Sequence, residues 1–165
     1  MIDYTKERNK YRPEIIKTLL IGEAPPPSGE TFFYVPRIIS LAKSIEDDTS
    51  LPSTIFSHYF DKRPETIEEY ERFLRQLQKQ GIFLIDILDL PLKIRENKEN
   101  ELYLVSQIPN LRDKVKSMKI GLDESDWIFL LARTSYTKHL NREYPLAQKI
   151  RWKDFRINVK LLKPT

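Results

Sequence analysis

The sequence predicts an α/β fold with three layers, α/β/α, around a central four-stranded and mainly parallel sheet. Four short apolar segments alternate with stretches of helical periodicity, which is the pattern of strands joined by helical crossovers. The intervals between them carry no two-residue hairpin signal, so parallel pairing is favoured over antiparallel pairing. With 165 residues, the chain is expected to form a single domain spanning residues 1–165.

The first strand is predicted at residues 18–21, where a short apolar run ends at Gly22. Glu23 follows directly, and three consecutive prolines beginning at Pro25 then remove backbone donors and fix φ. Residues 32–34 place three aromatic rings in the same loop. A carboxylate on a stiff loop at a strand end, close to aromatic rings, is typical of a reaction or recognition site.

The middle of the chain predicts two helices and one strand. Apolar residues at helical spacing predict a helix over residues 37–46, and residues 47–64 form either a loop or a short helix. Thr66 and Glu69 make a capping-box pattern, which begins a helix that ends at Gly81. The apolar run that follows predicts a buried strand leading into a loop at residues 86–91.

The remaining elements complete the expected sheet. Residues 93–101 read as a charged insert, and residues 109–119 as a basic helix. A third strand is predicted at residues 127–131, a helix at residues 134–141, and a last strand at residues 157–162. Sites of parallel sheets collect at the carboxyl ends of strands, so the loops that follow the four strands are the candidate site segments.

Composition excludes several classes of site. There are no cysteines, which excludes disulfides, thiolate nucleophiles, iron–sulfur clusters and cysteine-ligated zinc. Two histidines are too few for a histidine-rich metal centre, so neither a metal nor another cofactor is expected. No apolar run approaches the roughly 20 residues of a membrane span, and the charged N-terminal segment lacks the apolar region of a secretory signal. We therefore expect a cytoplasmic monomer that does not associate with membranes.

The net charge of +4 permits nucleic-acid binding and also fits ordinary solubility charge. The positive charge is concentrated at the end of the chain, where residues 133–165 carry nine basic and two acidic side chains. This segment is either a solvated face or part of a DNA-binding groove.

The opening motif, Leu-Leu-Ile-Gly-Glu-Ala-Pro followed by Phe-Phe-Tyr, resembles the first motif of the uracil-DNA glycosylase superfamily. The similarity is greatest to members whose loop begins Gly-Glu-Ala-Pro or Gly-Glu-Ser-Pro-Pro. The order of the later elements also fits, so the resemblance covers most of the chain. It implies a four-stranded parallel sheet flanked by helices, and removal of a damaged or deaminated base from DNA.

The resemblance also implies roles for individual residues. Gly22 and Glu23 match the motif that positions the attacking water, with Glu23 and Lys163 as the catalytic pair. The implied base-binding residues are Gly22, Ala24, Pro25, Phe33, Tyr34 and Asp86, with Phe33 or a neighbouring ring as the one on which the extruded base stacks. Two positions differ from the family, since Asp86 stands where many members have Asn and Lys163 where the closing motif has His.

Each of these residues also has a plainer interpretation. Glu23 fits a carboxylate that caps a loop or pairs with a nearby Arg or Lys, and the aromatic rings fit core packing. Asp86 and Asp89 fit caps of the following turn. Three functions therefore remain open: a DNA base-excision hydrolase, a non-catalytic nucleic-acid-binding member of the same fold, and a nucleoside or nucleotide hydrolase. The expected partner is DNA or a ligand that contains a nucleobase.

Overall fold

The computed structural model describes residues 2–92 and 97–156 and has an all-parallel sheet of four strands. In chain order these are β1 (Thr18–Gly22), β2 (Ile82–Asp86), β3 (Trp127–Leu131) and β4 (Gln148–Arg151), arranged in the spatial order β2-β1-β3-β4. The predicted α/β class with a four-stranded parallel sheet is therefore confirmed. The register pairs Gly22 with Asp86, so the ends of β1 and β2 lie side by side.

Six α-helices occur in the part of the chain that the structure describes. They are α1 (Tyr4–Asn9), α2 (Leu51–Phe60), α3 (Ile67–Lys79), α4 (Asn97–Gln107), α5 (Leu111–Ser117) and α6 (Thr137–Glu143). The β1–β2 connection contains α2 and α3, whereas α4 and α5 connect β2 to β3 and α6 connects β3 to β4. Because the first crossover runs along the sheet in the direction opposite to the other two, the right-handed rule assigns their helices to opposite faces.

The sheet is the centre of the hydrophobic core. Four residues of β1, from Leu19 to Gly22, and all five residues of β2 are buried. The fully buried side chains of these strands include Leu19, Ile21, Phe83 and Ile85. The predicted α3 packs against β2 and buries Tyr70, Phe73, Leu74 and Leu77. Its capping residue is Thr66, whose hydroxyl accepts a hydrogen bond from the Glu69 N–H at 3.0 Å.

The helix predicted at residues 37–46 is wrong. Ile38 and Leu41 of its expected apolar face are 71% and 46% exposed, so this face does not bury the apolar surface that would stabilise a helix. Arg37 instead anchors the irregular chain, because its Nη1 donates to the carbonyl of Phe32 at 3.0 Å and to the Tyr70 hydroxyl at 3.2 Å.

Other boundaries shift in smaller ways. The segment from 47 to 64, expected as a loop or a short helix, contains the ten-residue α2, which begins at Leu51 with proline in its first turn. The charged insert predicted at residues 93–101 is helical from Asn97 onward, and residues 93–96 lie outside the described residues. The basic helix and the helix after β3 are present as α5 and α6.

The fourth strand of the sheet lies where no strand was expected. β4 has the sequence Gln-Lys-Ile-Arg and pairs in parallel with β3, so that Leu131 lies beside Arg151. The strand predicted at residues 157–162 lies outside the described residues.

Candidate functional site

A cavity of about 390 Å³ opens at the carboxyl ends of β1 and β2. Four of the residues predicted for the site line it, namely Ala24, Pro25, Phe33 and Asp86. Most of the other walls are apolar, and the charged side chains among the lining residues are Arg37 and Asp86. An apolar cleft with few polar groups is the usual form of a small-molecule or cofactor site.

The proline loop after β1 forms one wall of this cavity and is held in place by α1. The Tyr4 hydroxyl donates to the carbonyl of Pro26 at 2.7 Å, and its ring packs edge-on against Phe32 with a centroid separation of 4.9 Å. The predicted stiffness of the loop therefore comes from its prolines together with a tertiary contact.

Asp86 ends β2 and is 5% exposed. Its Oδ2 lies 3.6 Å from Nη2 of Arg8, a residue of α1 that is itself 3% exposed. Burial raises the pKa of Asp86 to about 6, although the positive charges of Arg8 and Lys114 oppose the shift. A carboxylate with a pKa raised by burial, on the wall of a cleft, is a functional-site candidate on physical grounds.

Gly22 is needed beside this carboxylate. A Cβ built at residue 22 would lie 2.5 Å from Oδ1 of Asp86, which is closer than van der Waals contact allows. The glycine at the end of β1 therefore makes room for the Asp86 side chain, a reason that the isolated motif does not reveal.

The aromatic residues of the loop serve both the cavity and the core. Phe33 lines the cavity, is 3% exposed and packs against Phe56 with a centroid separation of 5.3 Å. Tyr34 points into the core, where its hydroxyl accepts a hydrogen bond from the Leu84 N–H at 2.7 Å. Among the described strands β2 lies at the edge of the sheet, so this hydroxyl pairs an amide that none of them reaches. Tyr34 is not among the cavity-lining residues.

Glu23 lies beside the cavity, where the loops after β1 and β3 meet. Its Oε2 accepts hydrogen bonds from the N–H of Ala132 at 3.0 Å, the N–H of Arg133 at 3.3 Å and the Tyr136 hydroxyl at 2.6 Å. Its Oε1 lies 3.4 Å from Nε of Arg133. These contacts match the plainer interpretation of Glu23, a carboxylate that caps a loop and pairs with an arginine.

Sequence reasoning missed Trp152, which lines the cavity and directly follows β4. Its segment is held against α2 by His58, whose ring stacks on Phe155 with a centroid separation of 3.6 Å and whose Nδ1 lies 2.8 Å from the carbonyl of Phe155. The signal for Trp152 would have been its position after a strand, but that strand was not predicted. Lys163 lies outside the described residues.

Within residues 2–92 and 97–156, no group of three or more His, Asp or Glu side chains is arranged to hold a metal ion. Over the same ranges, no helix combines the length and the apolar character that crossing a membrane requires. Comparison of the chain with protein-family models, with curated proteins and with solved structures finds no match.

Proposed function

We propose that this protein binds a nucleobase in the cavity at the ends of β1 and β2, and that it is a uracil-DNA glycosylase-like hydrolase that removes a damaged or deaminated base from DNA. The observation that carries the proposal is the convergence of Phe33 and Asp86, from two separate loops, on one cavity. An aromatic ring offers a stacking surface, and a carboxylate offers hydrogen-bond acceptors to the edge of a base. The cavity volume of about 390 Å³ is sufficient for a planar heterocycle.

The position of β4 changes which residues correspond to the closing motif of the superfamily. In the superfamily, a short motif follows the last strand and supplies a group near the departing base. After β4 the chain continues as Trp152, Lys153 and Asp154. Trp152 would then add a second ring to the base pocket, and Lys153, which is exposed and is not among the lining residues, becomes a candidate cation beside Lys163.

The proposed reaction is hydrolysis of the N-glycosidic bond. The bond between C1′ and the base nitrogen breaks and its electron pair leaves with the base, while the oxygen of water bonds to C1′. The water loses one proton, and the base gains one. Stacking on Phe33 and hydrogen bonds to Asp86 would hold the extruded base, and Glu23 would orient the water.

The contacts of Glu23 favour a second candidate function, a non-catalytic nucleic-acid-binding member of the same fold. Its Oε2 already accepts three hydrogen bonds, and Glu23 is not a lining residue of the cavity. A carboxylate in this state joins two loops through Oε2, which leaves Oε1, 3.4 Å from Nε of Arg133, as the oxygen that could orient water.

The two candidates separate in a cleavage assay on duplexes that each carry one damaged or deaminated base, followed by alkaline strand scission. The hydrolase predicts cleavage of at least one duplex, with a loss of about 10²–10⁴-fold in Glu23→Gln if Glu23 positions the water. Asp89→Asn is the matched control, because Asp89 is a neighbouring carboxylate outside the cavity lining. Cleavage by the parent and by Glu23→Gln at equal rates would remove Glu23 from the mechanism.

If no duplex is cleaved, DNA binding decides the second candidate. Filter-binding titrations at two salt concentrations should then show weaker binding at the higher concentration, because phosphate contacts release counterions. Binding that is absent or insensitive to salt would contradict both candidates. Turnover of free nucleosides without DNA would instead support a nucleoside hydrolase.

A further inference from the structure

The carboxylate of Asp86 has unused hydrogen-bonding capacity. It is buried on the wall of the cavity, yet neither of its oxygens accepts a hydrogen bond from any of the residues that the structure describes. The nearest cation among the described residues, Nη2 of Arg8, lies 3.6 Å away, which exceeds hydrogen-bond distance. Buried polar groups in folded proteins nearly always have partners, so this acceptor is available for donors of a ligand.

The surrounding charges keep this acceptor ionised at neutral pH. Arg8 and Lys114 favour the carboxylate, whereas Glu23, Asp89 and burial disfavour it, and the resulting pKa is about 6. Lys114 reaches Asp86 only at its main-chain carbonyl, to which Nζ donates at 2.6 Å, so it does not occupy the side chain. Well above this pKa the Asp86 side chain therefore presents two acceptor oxygens and no donor.

Resting on the proposed nucleobase cavity, we propose that Asp86 selects a guanine-type edge, in which N1–H and N2–H₂ are adjacent donors that reach the two carboxylate oxygens. Two parallel N–H groups match a carboxylate in the same way as the fork of an arginine does. A uracil edge presents one N–H between two carbonyl oxygens, so at least one carbonyl would face a buried carboxylate oxygen. Sites that hydrogen-bond their ligand discriminate strongly against analogues that leave a buried group unpaired.

Replacing the carboxylate by the isosteric amide should shift this preference toward uracil. In Asp86→Asn the side chain would offer one donor and one acceptor, which match the N–H and the neighbouring carbonyl of uracil. The volume of the side chain would be nearly unchanged, so Gly22 would still accommodate it. The ratio of the affinities for guanosine and uridine therefore reports whether residue 86 carries a carboxylate or an amide.

The test is a calorimetric titration of the whole chain with guanosine and with uridine at pH 7.5, for the parent, Asp86→Asn and Asp89→Asn. We expect the parent to bind guanosine at least about tenfold more tightly than uridine, the order expected of a bidentate contact. Asp86→Asn should lower this ratio by about tenfold or more. Asp89→Asn should keep it, because Asp89 is exposed and pairs with Lys114.

A second measurement is independent of the folding of the variant. When the pH falls from 7.5 to 5, the parent should lose affinity for guanosine, because protonation of Asp86 converts one acceptor into a donor. Equal affinities for the two nucleosides, a guanosine preference that survives in Asp86→Asn, or pH-independent guanosine binding would overturn the selectivity and leave the cavity proposal intact. Binding of neither nucleoside to the parent or to Asp86→Asn would overturn both.

Discussion

The junction between the loops after β1 and β3 depends on one oxygen atom. Oε2 of Glu23 accepts hydrogen bonds from the N–H groups of Ala132 and Arg133 and from the hydroxyl of Tyr136. Tyr136 is fully buried and Glu23 is 7% exposed, so water cannot easily replace these contacts. We predict that Glu23→Ala will destabilise the fold substantially, whatever its effect on catalysis.

The magnitude follows from the donors left behind. A hydrogen bond to a charged group contributes about 1.5–3 kcal/mol, and three bonds that share one acceptor do not add fully. Removing one partner of a buried charged contact typically costs about 3–5 kcal/mol, which is our expectation for Glu23→Ala. Tyr136→Phe removes one donor and leaves the carboxylate with its two amides and Arg133, so we expect a loss of about 1–2 kcal/mol.

A double-mutant cycle measured by urea denaturation tests this reasoning. Tyr136→Phe should be nearly neutral in the Glu23→Ala background, because its hydroxyl no longer has a charged acceptor, which gives a coupling free energy of about 1–2 kcal/mol. Glu7→Ala is the control, since Glu7 pairs with Lys10 on the surface and its loss should change stability by less than about 1 kcal/mol. Additive effects of the two substitutions would refute the proposed junction.

Three further predictions concern stability. Folding raises the pKa of Asp86 from 3.8 to about 6, so the folded state binds this proton more strongly than the unfolded state does. Ionisation of Asp86 should therefore lower the free energy of unfolding by on the order of 3 kcal/mol as pH rises from 4 to 7. Denaturation of Asp86→Asn across that range should lack this component. Tyr34→Phe leaves the buried Leu84 N–H without its acceptor and should cost about 1–3 kcal/mol, with faster hydrogen exchange at that amide. Gly81→Ala should lower the free energy of unfolding by about 1–2 kcal/mol, because φ of Gly81 is +77° and the new Cβ would lie 2.8 Å from the Ile15 carbonyl oxygen.

Local sequence predicted the elements whose signals are complete within a few residues. The buried strands β1, β2 and β3 are continuous apolar runs, and α3 combines a capping residue with an apolar stripe and a final glycine. The parallel order of the sheet follows from these strands and the helical crossovers between them. The convergence of Phe33 and Asp86 on one cavity is compatible with the sequence pattern as well, because Asp86 ends β2 and Phe33 lies in the loop that follows the adjacent β1.

The errors occurred where tertiary contacts override local pattern. Residues 37–46 have helical periodicity, but the fold offers no surface to bury Ile38, and the contacts of Arg37 hold the chain in an irregular path. β4 contains a single apolar residue, Ile150, and is an edge strand whose formation depends on pairing with β3. Trp152 was missed for the same reason, because its place in the site depends on the strand before it.

The first motif contributes to two separate structural features, a junction between loops and the wall of the cavity, which are not distinguished in the sequence alone. Glu23 leaves β1 toward β3 and joins two loops, whereas the prolines and Phe33 continue toward β2 and form the cavity with Asp86. A contribution of Glu23 to chemistry would therefore come from Oε1, which lies 3.4 Å from Nε of Arg133, or would require the Oε2 junction to open at the cost of the hydrogen bonds described above. Asp86 requires no such rearrangement, since its oxygens are already free of hydrogen bonds from the described residues. Recognition by Asp86 and catalysis by Glu23 are thus separable, and Asp86→Asn and Glu23→Gln should affect base selectivity and cleavage rate independently.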